Sequence, residues 1–309
     1  MPIERILIMT AIVSLLSTGT LPAAAGENPV SSSRQAIVVK TASWETHQGV
    51  LQCYERTSGD ATWRRAGEEI PVVVGRYGLG WGLGLHPAGR EKAPAVQPDK
   101  RRPSTGYAPA DEIKSPTVPD EDQEKQTGLA LIPAAESIRG QADLPPSYKT
   151  GPDKKEGDGR APAGVFRLGN AFGYEPRHKC SWIRMPYLEA TRSLKCIDDV
   201  RSRYYNRLVA TGTGESPDWS SCEDMRRRDD QYRLGIVVEH NTDPVVPGRG
   251  SCIFLHIWQG PDKGTAGCTA MAPENLEKIM HWLDPSAAPV LIQLPNTAYQ
   301  ELQAVWELP

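Results

Sequence analysis

Leu234-Gly235-Ile236-Val237-Val238-Glu239-His240 and Cys252-Ile253-Phe254-Leu255-His256-Ile257-Trp258 are two runs rich in β-branched and aromatic residues. Between them, Asn241-Thr242-Asp243-Pro244 and Pro247-Gly248-Arg249-Gly250 supply turn chemistry, so the pair reads as a β-hairpin with a long loop. In the second run the period of two puts Ile253, Leu255 and Ile257 on one face, and Cys252, Phe254, His256 and Trp258 on the other. A tight small-residue segment follows, Gly264-Thr265-Ala266-Gly267-Cys268-Thr269-Ala270. Pro273 then opens an amphipathic helix: Leu276, Ile279, Met280 and Leu283 recur at helical spacing, and Glu274 suits the positive helix end.

Upstream, Gln35 to Lys40, Val50 to Arg56 and Ile70 to Val74 are further extended candidates, punctuated by Gly59, Asp60 and Gly67. The glycine-rich run from Gly75 to Gly84 is not a phosphate-cradling loop, because it leads into Pro87 and not into a helix N-terminus. It reads as an irregular loop or strand rim. Residues 88–152 are rich in Pro, Lys, Asp and Glu with almost no aromatics, a composition that cannot offset the entropy of ordering, so a flexible insertion is expected there. Gly157 and Gly159 suit turns before the apolar element that begins at Val165-Phe166, and Asp158 with Glu156 lacks the further ligands of a calcium loop. Arg226-Arg227-Arg228 reads as a solvated face.

The chain has 309 residues, 39% of them hydrophobic, enough for a sizeable core. A formal net charge of -3 gives no reason to expect nucleic-acid or membrane-surface binding through bulk charge. Arg5, an apolar run from Ile6 to Leu16, then Pro22 and Ala23-Ala24-Ala25 have the layout of a cleavable secretory signal over 1–25, with an apolar run too short to span a bilayer. An oxidising destination allows disulfides among Cys53, Cys180, Cys196, Cys222, Cys252 and Cys268, with Cys196 and Cys222 one conceivable pair.

Cys268 sits on a turn between a strand and a helix, flanked by glycine, where backbone N–H groups are open to hold an oxyanion. A thiol acts only as its thiolate, and an imidazole can deprotonate it, so His256 is the candidate base. The bare pair is equally compatible with a core histidine and a structural cysteine. Gly250 to His256 with Thr265-Ala266-Gly267-Cys268 resembles the His…[Ser/Thr]-x-Gly-Cys signature of YkuD-type L,D-transpeptidases. Gly159 to Phe166 is similar to that family's Pro-x-Gly-x-Phe element, and Cys196-Ile197-Asp198-Asp199 with Tyr205-Asn206 resembles one branch of it.

The resemblance implies a mainly β, sandwich-like or barrel-like catalytic domain with a few helices, discontinuous over 34–87 and 153–295, and a C-terminal tail at 296–309. It implies an exported periplasmic or secreted, cell-wall-associated enzyme acting on peptidoglycan stem peptides. Cys268 would attack a tetrapeptide stem, release its terminal D-alanine as a thioester forms, and pass the acyl group to an amine. His256 would be the base and Gly267, with Cys268, the oxyanion donor. Substrate contacts are expected from Thr265, Trp258, Asp199 and Asn206; for Asp199 the rival is a turn that caps a helix. Carbapenem acylation of Cys268 is expected, and no cofactor or metal. The alternatives are an L,D-carboxypeptidase that trims tetrapeptides, and a non-catalytic wall-binding module or one stabilised by zinc through Cys252, His256, Cys268 and His240. Two departures from the family stand out: Ile257-Trp258 where many members have Gly-Thr, and Thr269-Ala270-Met271 where many have an Arg.

Overall fold

A computed structural model describes residues 28–87, 107–108, 150–212 and 217–309. The expected signal segment lies outside the described residues, as does the insertion at 88–152 apart from 107–108 and 150–152. The strands are β1 (Gln35–Thr41), β2 (Gln48–Glu55), β3 (Arg64–Val73), β4 (Leu79–Trp81), β5 (Tyr107–Ala108), β6 (Ala161–Gly173), β7 (Tyr187–Glu189), β8 (Leu194–Cys196), β9 (Leu208–Ala210) and β10 (Glu223–Asp224). β11 (Leu234–Val238), β12 (Phe254–Ile257), β13 (Thr269–Met271) and helix α1 (Pro273–Trp282) follow, then β14 (Val290–Pro295) and α2 (Asn296–Gln303).

The main sheet runs β11-β12-β13-β3-β2-β1-β14-β6, and β6 also pairs with β11, which closes it into a barrel. Closure is possible because β6 is 13 residues long. Its Gly164 to Arg167 stretch pairs with β14, and its Leu168 to Gly173 stretch pairs with β11. β1, buried along nearly its whole length, reads as a continuous apolar run because it has neighbours on both edges and cover on both faces. Gly164 lies in β6 at φ 136°, and a Cβ there would stand 2.0 Å from the His86 ring, so only glycine lets that ring pack. The fold is therefore mainly β and barrel-like, with two α-helices among the described residues, as the resemblance implied.

The expected hairpin is present, with β11 antiparallel to β12 and Gly235 opposite His256. The two faces of the β12 region enter different clusters: Ile253 and Leu255 join the barrel core, whereas Cys252 and Phe254 pack with Phe172, Tyr232 and Cys268. α1 forms where expected, with Pro273 in its first turn and Leu276, Ile279 and Met280 buried. Burying each of these three side chains stabilises the fold by about 1.5–3 kcal/mol.

Residues 296–309, expected as a tail, instead fold back: α2 contacts β14 and β1, and Tyr299, Leu302, Trp306 and Leu308 are buried. A second, small sheet runs β10-β8-β9-β5. It is joined to the barrel by a Cys196–Cys252 disulfide, with a Cα–Cα distance of 5.9 Å. That corrects the Cys196–Cys222 pairing considered from sequence: Glu223 is the register partner of Cys196, and Cys222 stays a free thiol.

Candidate active site

Cys268 directly precedes β13, which lies parallel to β12 with Leu255 opposite Thr269 and His256 opposite Ala270. Paired residues share a face, so Cys268 lies beside Phe254, and His256 projects from the same face two residues further on, about 7 Å along the strand. The turn is stapled from within. The Thr265 hydroxyl donates to the Cys268 carbonyl at 2.6 Å and accepts the Gly267 N–H at 3.1 Å. Behind it, the Thr269 hydroxyl donates to Gln293 Oε1 at 2.6 Å, and Gln293 Nε2 donates to the Pro162 carbonyl, tying β13, β14 and β6 together.

The Cys268 sulfur is buried, accepts from Phe254 N–H at 3.3 Å and donates to the Cys252 carbonyl at 3.4 Å. Burial, reinforced by the Glu223 charge, pushes its pKa up to about 12; the Phe254 N–H, the Tyr232 hydroxyl and the Lys154 ammonium pull the other way. Cys53 is also pushed to about 12, by burial alone. Neighbours that favour the anion distinguish Cys268 from such a structural thiol.

His256 is fixed by its Nδ1, 2.8 Å from the Ile257 carbonyl, and its ring meets that of Tyr232 at 5.1 Å between centroids. The carbonyl can only accept, so Nδ1 carries the proton and Nε2 keeps its lone pair. Burial lowers its pKa to about 4, which leaves the imidazole neutral. No hydrogen bond joins His256 and Cys268: the sulfur is turned toward Phe254 and Cys252.

Other expected contacts have internal partners. The Gly267 N–H goes to Thr265 and so does not point out as an oxyanion donor. Asp199 accepts from Arg201 N–H at 3.0 Å and from the Ser220 N–H and hydroxyl at 2.8 and 2.6 Å, which hold its carboxyl well below the usual carboxylate range and make it a loop brace. Asn206 donates to the His240 and Asn241 carbonyls and accepts from Cys252 N–H at 2.9 Å, bracing the loop before β12. Trp258 is half-buried and donates its N–H to the Met271 carbonyl, continuing the β12–β13 ladder. The metal alternative finds Cys252 in the disulfide. Both ring nitrogens of His240 are engaged, at 3.1 Å to Leu83 N–H and 2.9 Å to the Arg249 carbonyl. Among the described residues no group of three or more His, Cys, Asp or Glu side chains could hold a metal ion, and no helix is long and apolar enough to cross a membrane.

Three side chains near the sulfur were not singled out in the sequence. Lys154 is buried and paired with Asp158 at 2.7 Å. Tyr232 is buried, and its hydroxyl donates to Glu223 Oε2 at 2.6 Å. Glu223 also borders a polar cleft with Arg192, Lys195, Arg226 and Arg228.

A closed β barrel presenting a cysteine on the turn that enters β13, not directly on a helix as the sequence indicated, and on the same face as a neutral histidine with a free Nε2, is the layout of a cysteine-dependent acyl-transfer enzyme. Comparison with known families agrees with that class. The profile of the YkuD L,D-transpeptidase catalytic domain matches residues 138–292, about half of the chain, and the chain belongs to this family. No curated protein and no solved structure gives a significant match.

Proposed function

We propose that the chain is an exported peptidoglycan L,D-transpeptidase in which Cys268 is the nucleophile and His256 the base. The observation that carries this reading is the His256 tautomer: Nδ1 is held by the Ile257 carbonyl, so Nε2 is the unprotonated nitrogen on the face that bears Cys268. Rotation of the Cys268 side chain away from Phe254 and Cys252 brings the sulfur toward that nitrogen. The S–H proton passes to Nε2, and the thiolate adds to the carbonyl of the third stem residue. The C–N bond to the terminal D-alanine then breaks as the imidazolium returns its proton to the departing amine. An amine of a second stem attacks the thioester, losing its proton to Nε2, and a cross-link forms as the thiol is restored.

The absent family Arg has a substitute in the cations Arg192, Lys195, Arg226 and Arg228 around the Glu223 cleft, which suit the carboxylates of a stem peptide. The Cys196–Cys252 disulfide accords with an oxidising compartment outside the cytosol.

The test is intact-mass analysis after incubation with a carbapenem, followed by product analysis on a defined tetrapeptide stem. One adduct on the mature chain and none on Cys268→Ala is the expected result, with dimeric products. Tripeptide as the sole product would make the enzyme a carboxypeptidase, and an equal adduct on Cys268→Ala would overturn the assignment of the nucleophile.

A further inference from the structure

Tyr232 occupies a position that the Cys–His pair does not explain. Its ring is wedged edge-on against Phe172, Phe254 and His256, at 5.8, 5.5 and 5.1 Å between centroids, within the buried cluster that contains Cys268. Its single hydroxyl proton is given to Glu223 Oε2 at 2.6 Å, and Tyr232 shares with Cys268 the buried cluster around Phe254. The phenol thus links a carboxylate to the cluster that holds the reacting atom. A sulfur that becomes an anion needs donors, and Phe254 N–H is one.

We propose that Tyr232 is a catalytic residue that donates its O–H to the Cys268 sulfur once the thiolate forms, and that Glu223 is a positioning residue whose proton state releases or withholds that donor. This rests on Cys268 being the nucleophile. With Glu223 ionised, the carboxylate keeps the Tyr232 proton and its charge opposes ionisation of the thiol. With Glu223 protonated, its own O–H donates to the phenolic oxygen, and the Tyr232 O–H turns to the sulfur; the thiol proton still leaves to His256. Only hydrogen bonds are exchanged in the switch.

The surrounding charges set its range. Burial and the Asp198 and Glu156 charges raise the affinity of Glu223 for a proton, against Arg227 and the Tyr232 hydrogen bond, while Lys154 favours the thiolate. His256, in edge-on contact with the Tyr232 ring, is neutral above about 4.

The test is the rate of iodoacetamide modification of Cys268 against pH in the full chain, mapped by peptide mass spectrometry. Glu223→Gln keeps the shape and can donate to Tyr232 but removes the charge, so the midpoint falls and modification at pH 8 speeds up about tenfold, one pKa unit. Tyr232→Phe keeps the ring and loses the donor, so modification slows, by about threefold to tenfold. In the Tyr232→Phe background the gain from Glu223→Gln shrinks. Buried Cys53 is the folding control, staying unmodified wherever the variant is folded. Shifts of the same sign, or both under about twofold with Cys53 silent, overturn the proposal; if Tyr232→Phe exposes Cys53, the sign for Glu223→Gln alone decides. These shifts are read on the thiol itself, so they stand apart from the Cys268→Ala product assay, which tests the underlying assignment.

Discussion

Cys196→Ala/Cys252→Ala removes the covalent tie between the small sheet and the strand that leads to His256. The bridge spans a sequence separation of 56. Chain-entropy arguments for a loop of that length give a loss of about 4 kcal/mol, and the void left by each deleted, buried sulfur adds to it. For a domain of this size that corresponds to a fall in Tm on the order of 10 °C. Equilibrium urea unfolding of the oxidised chain and the variant measures it, and reduction of the native chain must reproduce it. The same change frees the segment that leads into β12 and His256 from the small sheet, so turnover falls further than the folded fraction does. A loss below about 1 kcal/mol, or full turnover in a folded variant, would show that the small sheet is held by its own packing and refute the reasoning.

Two further outcomes follow from the charges. His86, His240 and His256 are driven by burial from an ordinary value of 6.5 to about 4, about 3 and about 4. The unfolded chain therefore takes up these protons near pH 6.5 while the folded chain does not. Stability is complete above that pH and falls as pH drops from 6.5 toward 4, by up to about 1.4 kcal/mol per pH unit for each histidine; a flat Tm across that window would contradict the buried neutral state. Arg226→Glu/Arg228→Glu reverses the charge of the cleft beside Glu223 and is expected to raise KM for a tetrapeptide stem about tenfold, with kcat within about twofold. An unchanged KM would place the stem carboxylates elsewhere.

Much of the scaffold was legible because it depends on local periodicity. Alternation along Cys252 to Trp258 placed His256 opposite the barrel-core face, and Pro273 announced α1, although the short strand β13 stands between Cys268 and that helix. What stayed hidden depends on tertiary partners. Glu223 lies in the small sheet and Tyr232 in the turn before β11, and neither type carries a local signal of meeting a thiol. Lys154 sits in the charged run Asp153-Lys154-Lys155, which reads as solvated, yet Asp158 makes its burial tolerable. Asp199 and Asn206 looked available for substrate because their chemistry suits it; their hydrogen bonds go to backbone and loop groups brought in from distant segments. Residues 296–309 lacked strand alternation, and their few apolar side chains found a place only once β14 and β1 were paired.

The parallel pairing of β4 with β6 places the two ends of a long excursion side by side: Trp81 N–H meets the Pro152 carbonyl at 2.7 Å, and Leu85 N–H meets Val165 at 2.8 Å. The barrel wall thus has a seam at which chain can be added without changing the β4–β6 register. A reporter or affinity module grafted at this seam leaves the barrel strands as they are, whereas a version joined there by a short glycine linker gives up β5 and makes β9 an edge of the small sheet.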